Sequence, residues 1–288
     1  MNGPIVVGVD GSGRGLRALM WAAHEAALRE RPLLLIHVLP AWEGDVPLYP
    51  PGRFDLAQRH GHELLAEAEQ MVRDAHPQLE ISTALPQGTP VAALRQEAAE
   101  AELIALGAKG EDVGNVLLGS TAIQLVGHVD CPVAVVGHIA SGHGVVSVGT
   151  DGSLHSEAAL EFAFREASLR SARLHVIDAL GLPQGWPKHL LLPEPPDDAA
   201  SEKRRIELDH ALAPFRARYP DVEVIEEVHH VSPIHALAQA SERSDLLVLG
   251  SRGRGGFHGL ALGSVTHKML HFASSPVVVI RAQEKPAG

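Results

Sequence analysis

The sequence predicts an α/β protein of two tandem domains. Each is a doubly wound, five-stranded parallel sheet in the order 3-2-1-4-5, with helices on both faces. Three observations carry this expectation. First, the 288-residue chain repeats itself at long range: VVGVDGS at 6–12 returns as SVGTDGS at 147–153, and LIALGAKG at 103–110 returns as LLVLGSRG at 246–253. ALMWAAHEAALRE at 18–30 matches ALEFAFREASLRS at 159–171, TPVAAL at 89–94 matches SPIHAL at 232–237, and CPVAVV at 131–136 matches SPVVVI at 275–280. The offset runs from 141 to 144, far beyond the roughly 20–50 residues of a solenoid repeat, so whole domains are duplicated. Second, short apolar runs alternate with helical periodicity, the pattern of βα units. Third, the apolar runs are continuous rather than alternating, as strands buried on both faces should be.

In the first copy, 5–9 reads as a strand, and 16–29 as a helix with Leu16, Leu19, Ala23 and Ala26 at helical spacing. A strand at 33–38 runs into a proline-bearing loop at 40–52, followed by a helix at 56–75. Then come a strand at 80–85, a helix at 91–100, a strand at 103–106, a helix at 120–127 and a strand at 133–136. The second copy repeats the series, with a longer loop at 181–199 carrying five prolines. Domain bounds of 1–139 and 143–284 follow, joined by the Gly/His/Ser-bearing stretch at 137–144.

Composition narrows the function classes. Hydrophobic residues make 45% of the chain and charged residues 20%, as in soluble globular proteins. The net charge is −11, of which residues 1–140 carry −8 and the remainder −3. That balance argues against nucleic acid, whose binding needs phosphates neutralised by Lys and Arg. MNGPIVVGVD has no secretory pattern, no apolar run approaches a bilayer span, and the single Cys131 fits a reducing compartment. A soluble, cytoplasmic protein without membrane contact is expected. Cys131, before Pro132 at the start of a strand, reads as packing.

The chemistry concentrates in 247–270. Four apolar residues, 246–249, run into Gly250 and Gly253; after nine residues, Gly263 and Ser264 open a helical pattern. A glycine-bearing loop from a strand into a helix start exposes backbone N–H groups at the positive end of the helix, which describes an anion site. Glycine lets the backbone approach phosphate oxygens, and Arg252 and Arg254 add guanidinium donors. The spacing is neither GxxxxGK[ST] nor GxGxxG. In a 3-2-1-4-5 sheet the crevice opens between strands one and four, bringing Asp10 beside Gly107 and Asp151 beside Gly250.

VDGS at the end of the first strand, with GxxG, nine residues and G[ST], resembles the universal stress protein family, and the tandem arrangement resembles its two-domain actinobacterial members. The resemblance spans essentially the whole chain. It implies an ATP-binding protein acting in nucleotide-dependent regulation of a stress response. The implied ligand positions in copy two are Asp151, Ala179, Gly250, Arg252, Gly253, Gly263, Ser264 and Val265. Those in copy one are Asp10, Val38, Gly107, Gly110, Gly119 and Ser120. Pairing of the two fifth strands within the chain, a homodimer and an unnamed regulatory protein partner are also implied, since an exposed apolar edge strand seeks a partner. A helix or loop covering each edge is the alternative.

The first copy departs from the pattern. Eight residues separate Gly110 from Gly119, and Glu111 and Asp112 replace Arg254 and Gly255, with Lys109 facing Arg252. A carboxylate aimed near a triphosphate opposes binding unless a metal intervenes. Copy two is therefore expected to bind ATP, and copy one more weakly or not at all. Asp10 and Asp151 either contact the nucleotide or an accompanying Mg²⁺, or simply turn the chain. Ser264 binds phosphate, caps its helix or does both. Of the 18 histidines, His60/His62 and His229/His230 lack ligand spacing, so no protein-held metal and no catalytic residue is expected. A slow ATP hydrolase and an interaction module with one nucleotide-free domain are the rival readings; the hydrolase reading lacks a water-activating group beside the loop.

Overall fold

A computed structural model describes residues 3–41, 53–108, 119–138, 142–179, 199–254 and 261–282. The chain divides between Gly137 and His138 into two compact units. In unit one the order is β1 (Ile5–Gly8), α1 (Gly13–Arg29), β2 (Leu33–Ile36), α2 (Arg53–Ala75), β3 (Ile81–Ala84), α3 (Pro90–Glu97), β4 (Leu103–Gly107), α4 (Ser120–Leu125) and β5 (Val133–Val136). Unit two has β6 (Val145–Thr150), α5 (Leu154–Leu169), β7 (Arg173–Ala179), α6 (Ala199–Arg218), β8 (Val224–His229), α7 (Pro233–Ser241), β9 (Leu246–Gly250), α8 (Ser264–Phe272) and β10 (Val277–Ile280).

Unit one's sheet runs β3-β2-β1-β4-β5, and unit two's runs β8-β7-β6-β9-β10. Every neighbouring pair within a unit is parallel. Each unit is thus the expected 3-2-1-4-5 sheet, and the strand order reverses between its first and fourth strands. Val6, Ile104, Val146 and Val248 in these central strands are fully buried.

Element ends moved for identifiable reasons. The first helix begins at Gly13 rather than at 16, because Ser12 Oγ accepts the Gly15 N–H at 3.0 Å and caps it before the apolar stripe begins. β2 ends at Ile36, so Val38 lies beyond the strand rather than at its end. α4 stops at Leu125, ahead of Gly127 at φ +77.

The end of each sheet remote from the crevice is anchored by buried charge. Arg29 pairs with Glu25 one helical turn earlier, and its Nε lies 3.5 Å from Glu102, which also accepts from Arg31 at 3.0 Å. The same i, i+4 pair recurs in unit two as Glu166 and Arg170. In unit two, Phe164 of α5 stacks on Phe215 and Tyr219 at 5.4 and 5.9 Å, packing the C-terminal end of α6 against α5.

Candidate functional site

Unit two's crevice is built where β6 and β9 diverge. Asp151 follows β6, and Ser153 caps α5 by accepting the Ser156 N–H at 3.3 Å. Gly152 between them sits at φ +74, a conformation that glycine adopts without strain. Asp151 Oδ1 accepts the Ser153 N–H at 3.0 Å, and Oδ2 accepts the Arg254 N–H at 2.7 Å. One carboxylate therefore ties the first-strand turn to the glycine loop. Burial alone would raise its pKa, but hydrogen bonds from Ser153 and the Arg254 N–H outweigh that and hold the carboxyl below its ordinary value.

The loop is held at three further points. Ser251 N–H donates to Ile280 O at 2.7 Å, and Gly263 N–H closes onto Ser251 O at 2.8 Å. Thr266 Oγ1 donates to Gly250 O at 2.7 Å. Gly263, at φ −72, is the N-cap of α8 and supplies no side-chain cap. Ser264 is therefore the first helical residue, so the capping alternative for its hydroxyl falls away. α1, α3 and α5, by contrast, are capped by Ser12, Thr89 and Ser153.

Two of the loop glycines answer to packing inside the protein. A Cβ on Gly250 would stand 2.7 Å from the His155 backbone, and one on Gly253 would stand 2.4 Å from Asp151 Oδ2. Packing inside the protein thus requires glycine at both positions, whatever the loop holds. At Gly263 the nearest atom would be 3.5 Å away, so of the three this glycine alone would accept a Cβ in ordinary contact without a clash.

All eight second-copy candidates (Asp151, Ala179, Gly250, Arg252, Gly253, Gly263, Ser264 and Val265) line this one crevice of about 220 Å³. Ile177, Pro233, Leu237 and Leu249 add an apolar wall. Polar backbone, arginines and apolar side chains lining one crevice suit a ligand with an anionic part and a flat hydrophobic part.

Unit one places Asp10, Val38, Gly107, Gly119 and Ser120 around a crevice of about 460 Å³; Gly110, Lys109, Glu111 and Asp112 lie outside the described residues. Asp10 accepts both the Ser12 N–H at 2.9 Å and the Ser12 hydroxyl at 2.7 Å. Ala122 stands at the repeat position of Thr266, so the hydroxyl that fixes Gly250 has no equivalent. Arg14 replaces His155 and lines the crevice.

Several site residues escape a motif reading. His155 lies against Gly250; its Nδ1 accepts the Ala282 N–H at 3.0 Å, and its Nε2 lies 3.2 Å from Arg252 Nε. Asp178, just before Ala179 and only 2% exposed, accepts from Arg204 Nε at 2.6 Å. Burial raises its pKa above the ordinary value, against the opposing pull of Arg204. A carboxylate inside an apolar strand is the one sequence signal for such a partner. His229 lies 2.7 Å from Glu227, which His175 approaches at 3.1 Å. Cys131 is buried, and desolvation pushes its thiol up to about 12. Among the described residues no three His, Cys, Asp or Glu side chains are grouped to hold a metal, and no helix is long and apolar enough to cross a membrane.

Comparison with known proteins agrees with this architecture. The model of the universal stress protein family matches residues 1–137 and again 144–281. Universal stress protein Rv2005c of Mycobacterium tuberculosis is 36% identical over 96% of each chain, and a universal stress protein of Mycolicibacterium smegmatis is 33% identical over the same shares. A crystal structure of a universal stress protein from Archaeoglobus fulgidus superposes with a TM-score of 0.76 at 20% identity, covering 98% of this chain and all of that one. The chain belongs to the universal stress protein family and carries the family's domain twice.

Proposed function

We propose that unit two binds ATP in the crevice between Asp151 and the 250–264 loop, and that the protein is a nucleotide-dependent regulator of a stress response. The observation that carries this is the convergence of residues 113 positions apart, from Asp151 to Ser264, on one crevice. There the N-terminus of α8 has no side-chain cap. The backbone N–H groups of Ser264 and Val265, with Arg252, would hold the phosphate oxygens nearest the loop. Ile177, Ala179 and Leu237 would cover the base, and Mg²⁺ accompanying the phosphates would neutralise charge beside Asp151.

The test is to denature the purified protein and identify any nucleotide released, then to titrate the emptied protein with ATP. An adenine nucleotide is expected in the first step or uptake in the second; neither would refute the reading. Gly263→Glu should abolish uptake while leaving the fold intact, because a Cβ there meets nothing closer than 3.5 Å. Wild-type affinity in that variant would place the ligand elsewhere.

A further inference from the structure

The two units treat equivalent glycines differently. Gly11 and Gly152 follow the crevice aspartates of their repeats, and both have φ +74. A Cβ on Gly11 would meet the Leu64 side chain of α2 at 3.0 Å. A Cβ on Gly152 would meet Arg254 Nη2 at 2.6 Å and Arg204 Nη2 and Nη1 at 3.3 and 3.4 Å. Where unit one lays a leucine over the turn, unit two brings together two guanidinium groups, one from α6 and one from the glycine loop.

Arg204 is fixed for this position. Its side chain is 10% exposed, its Nε donates to the buried Asp178 at 2.6 Å, and its Nη1 donates to Glu207 at 3.0 Å. The Asp178 pair sets the direction of the guanidinium, and its Nη2 comes over Gly152. Two guanidinium groups within reach of one point offer a set of charge-assisted donors that suits a multivalent anion between them. Glu207 is a weak competitor, since an exposed carboxylate gains little from such a pair. Arg254 lines the crevice itself, so an anion at this point remains continuous with a ligand held there.

We propose that Arg204 and Arg254 form a second phosphoryl subsite, separate from the backbone N–H groups at Ser264–Val265. Unit two thereby selects nucleotides carrying more than one phosphoryl group. This rests on the reading of the crevice as an adenine-nucleotide site. Two ligand classes share the required chemistry: a linear polyphosphate reaching past the loop, and a nucleotide phosphorylated at two ribose hydroxyls.

The experiment is calorimetric titration of the full chain, freed of nucleotide, with AMP, ATP and adenosine 3′,5′-bisphosphate. Wild type should bind one or both of the multiply phosphorylated ligands more tightly than AMP; which one identifies the class. Arg204→Leu, which installs the side chain of unit one, should weaken that ligand by about ten- to a hundredfold and AMP by less than about twofold. Because Arg204→Leu leaves Asp178 buried without its cation, Arg254→Leu, at an exposed position, is the parallel variant and should show the same selective loss. Equal loss for AMP and the preferred ligand, no loss in Arg254→Leu, or no wild-type preference over AMP would overturn the subsite. No binding of any of the three by wild type would instead refute the adenine-nucleotide reading.

Discussion

Asp151 is acceptor to two backbone segments at once, the start of α5 and the glycine loop, so its removal should loosen the loop before any ligand arrives. Asp151→Ala is expected to weaken ATP binding and to cost about 1–2 kcal/mol of unit-two stability. The pH dependence has a definite sign. A carboxyl held below its unfolded value of 3.8 contributes stability that is present above that value and lost as pH falls through the folded one. The stability difference between wild type and variant, from urea unfolding, should stay flat from neutrality to about pH 5 and shrink only below 3.8. Asp151 was legible because DGS at a strand end is a local pattern repeated in both copies. Arg204 and His155 were not, since each acts through a partner, Asp178 or Arg252, that only the fold brings near.

At the level of elements, periodicity located the helices and strands, but their ends depended on caps and left-handed residues that hydrophobic spacing does not report. The charged pairs show the same limit. Glu25 and Arg29 lie four apart on α1, a spacing that says nothing of burial, and their side chains are 1% and 4% exposed. Removing one partner strands the other charge in a low-dielectric setting. Arg29→Ala should therefore destabilise unit one by about 3–5 kcal/mol in chemical denaturation, well beyond the effect of Arg31→Ala at a more open position. Replacing Glu25 and Arg29 together by leucine should recover most of the loss. A double variant as unstable as Arg29→Ala would show that the pair does more than balance charge.

For the whole molecule, duplication was the clearest message of the sequence, and each sheet formed as the repeat and the buried strands required. Copy-to-copy differences at the crevice were partly visible too: the eight- and nine-residue loop spacings can be counted, and Ala122 for Thr266 can be aligned. The exchange of Leu64 for Arg204 could not, because helices α2 and α6 lie after loops of unequal length and share no alignable motif. Counting bound nucleotide per chain at saturation should give one tight equivalent of ATP, and two equivalents of equal affinity would refute the proposed inequality of the units. The twin turns at Gly11 and Gly152 have a further use. They place an apolar and a cationic cover on the same backbone shape, in one chain, at the same concentration and in the same buffer. A probe at each turn would read solvent or temperature effects in both, and ligand chemistry in one alone, so the duplicated scaffold carries an internal reference for its own binding measurements.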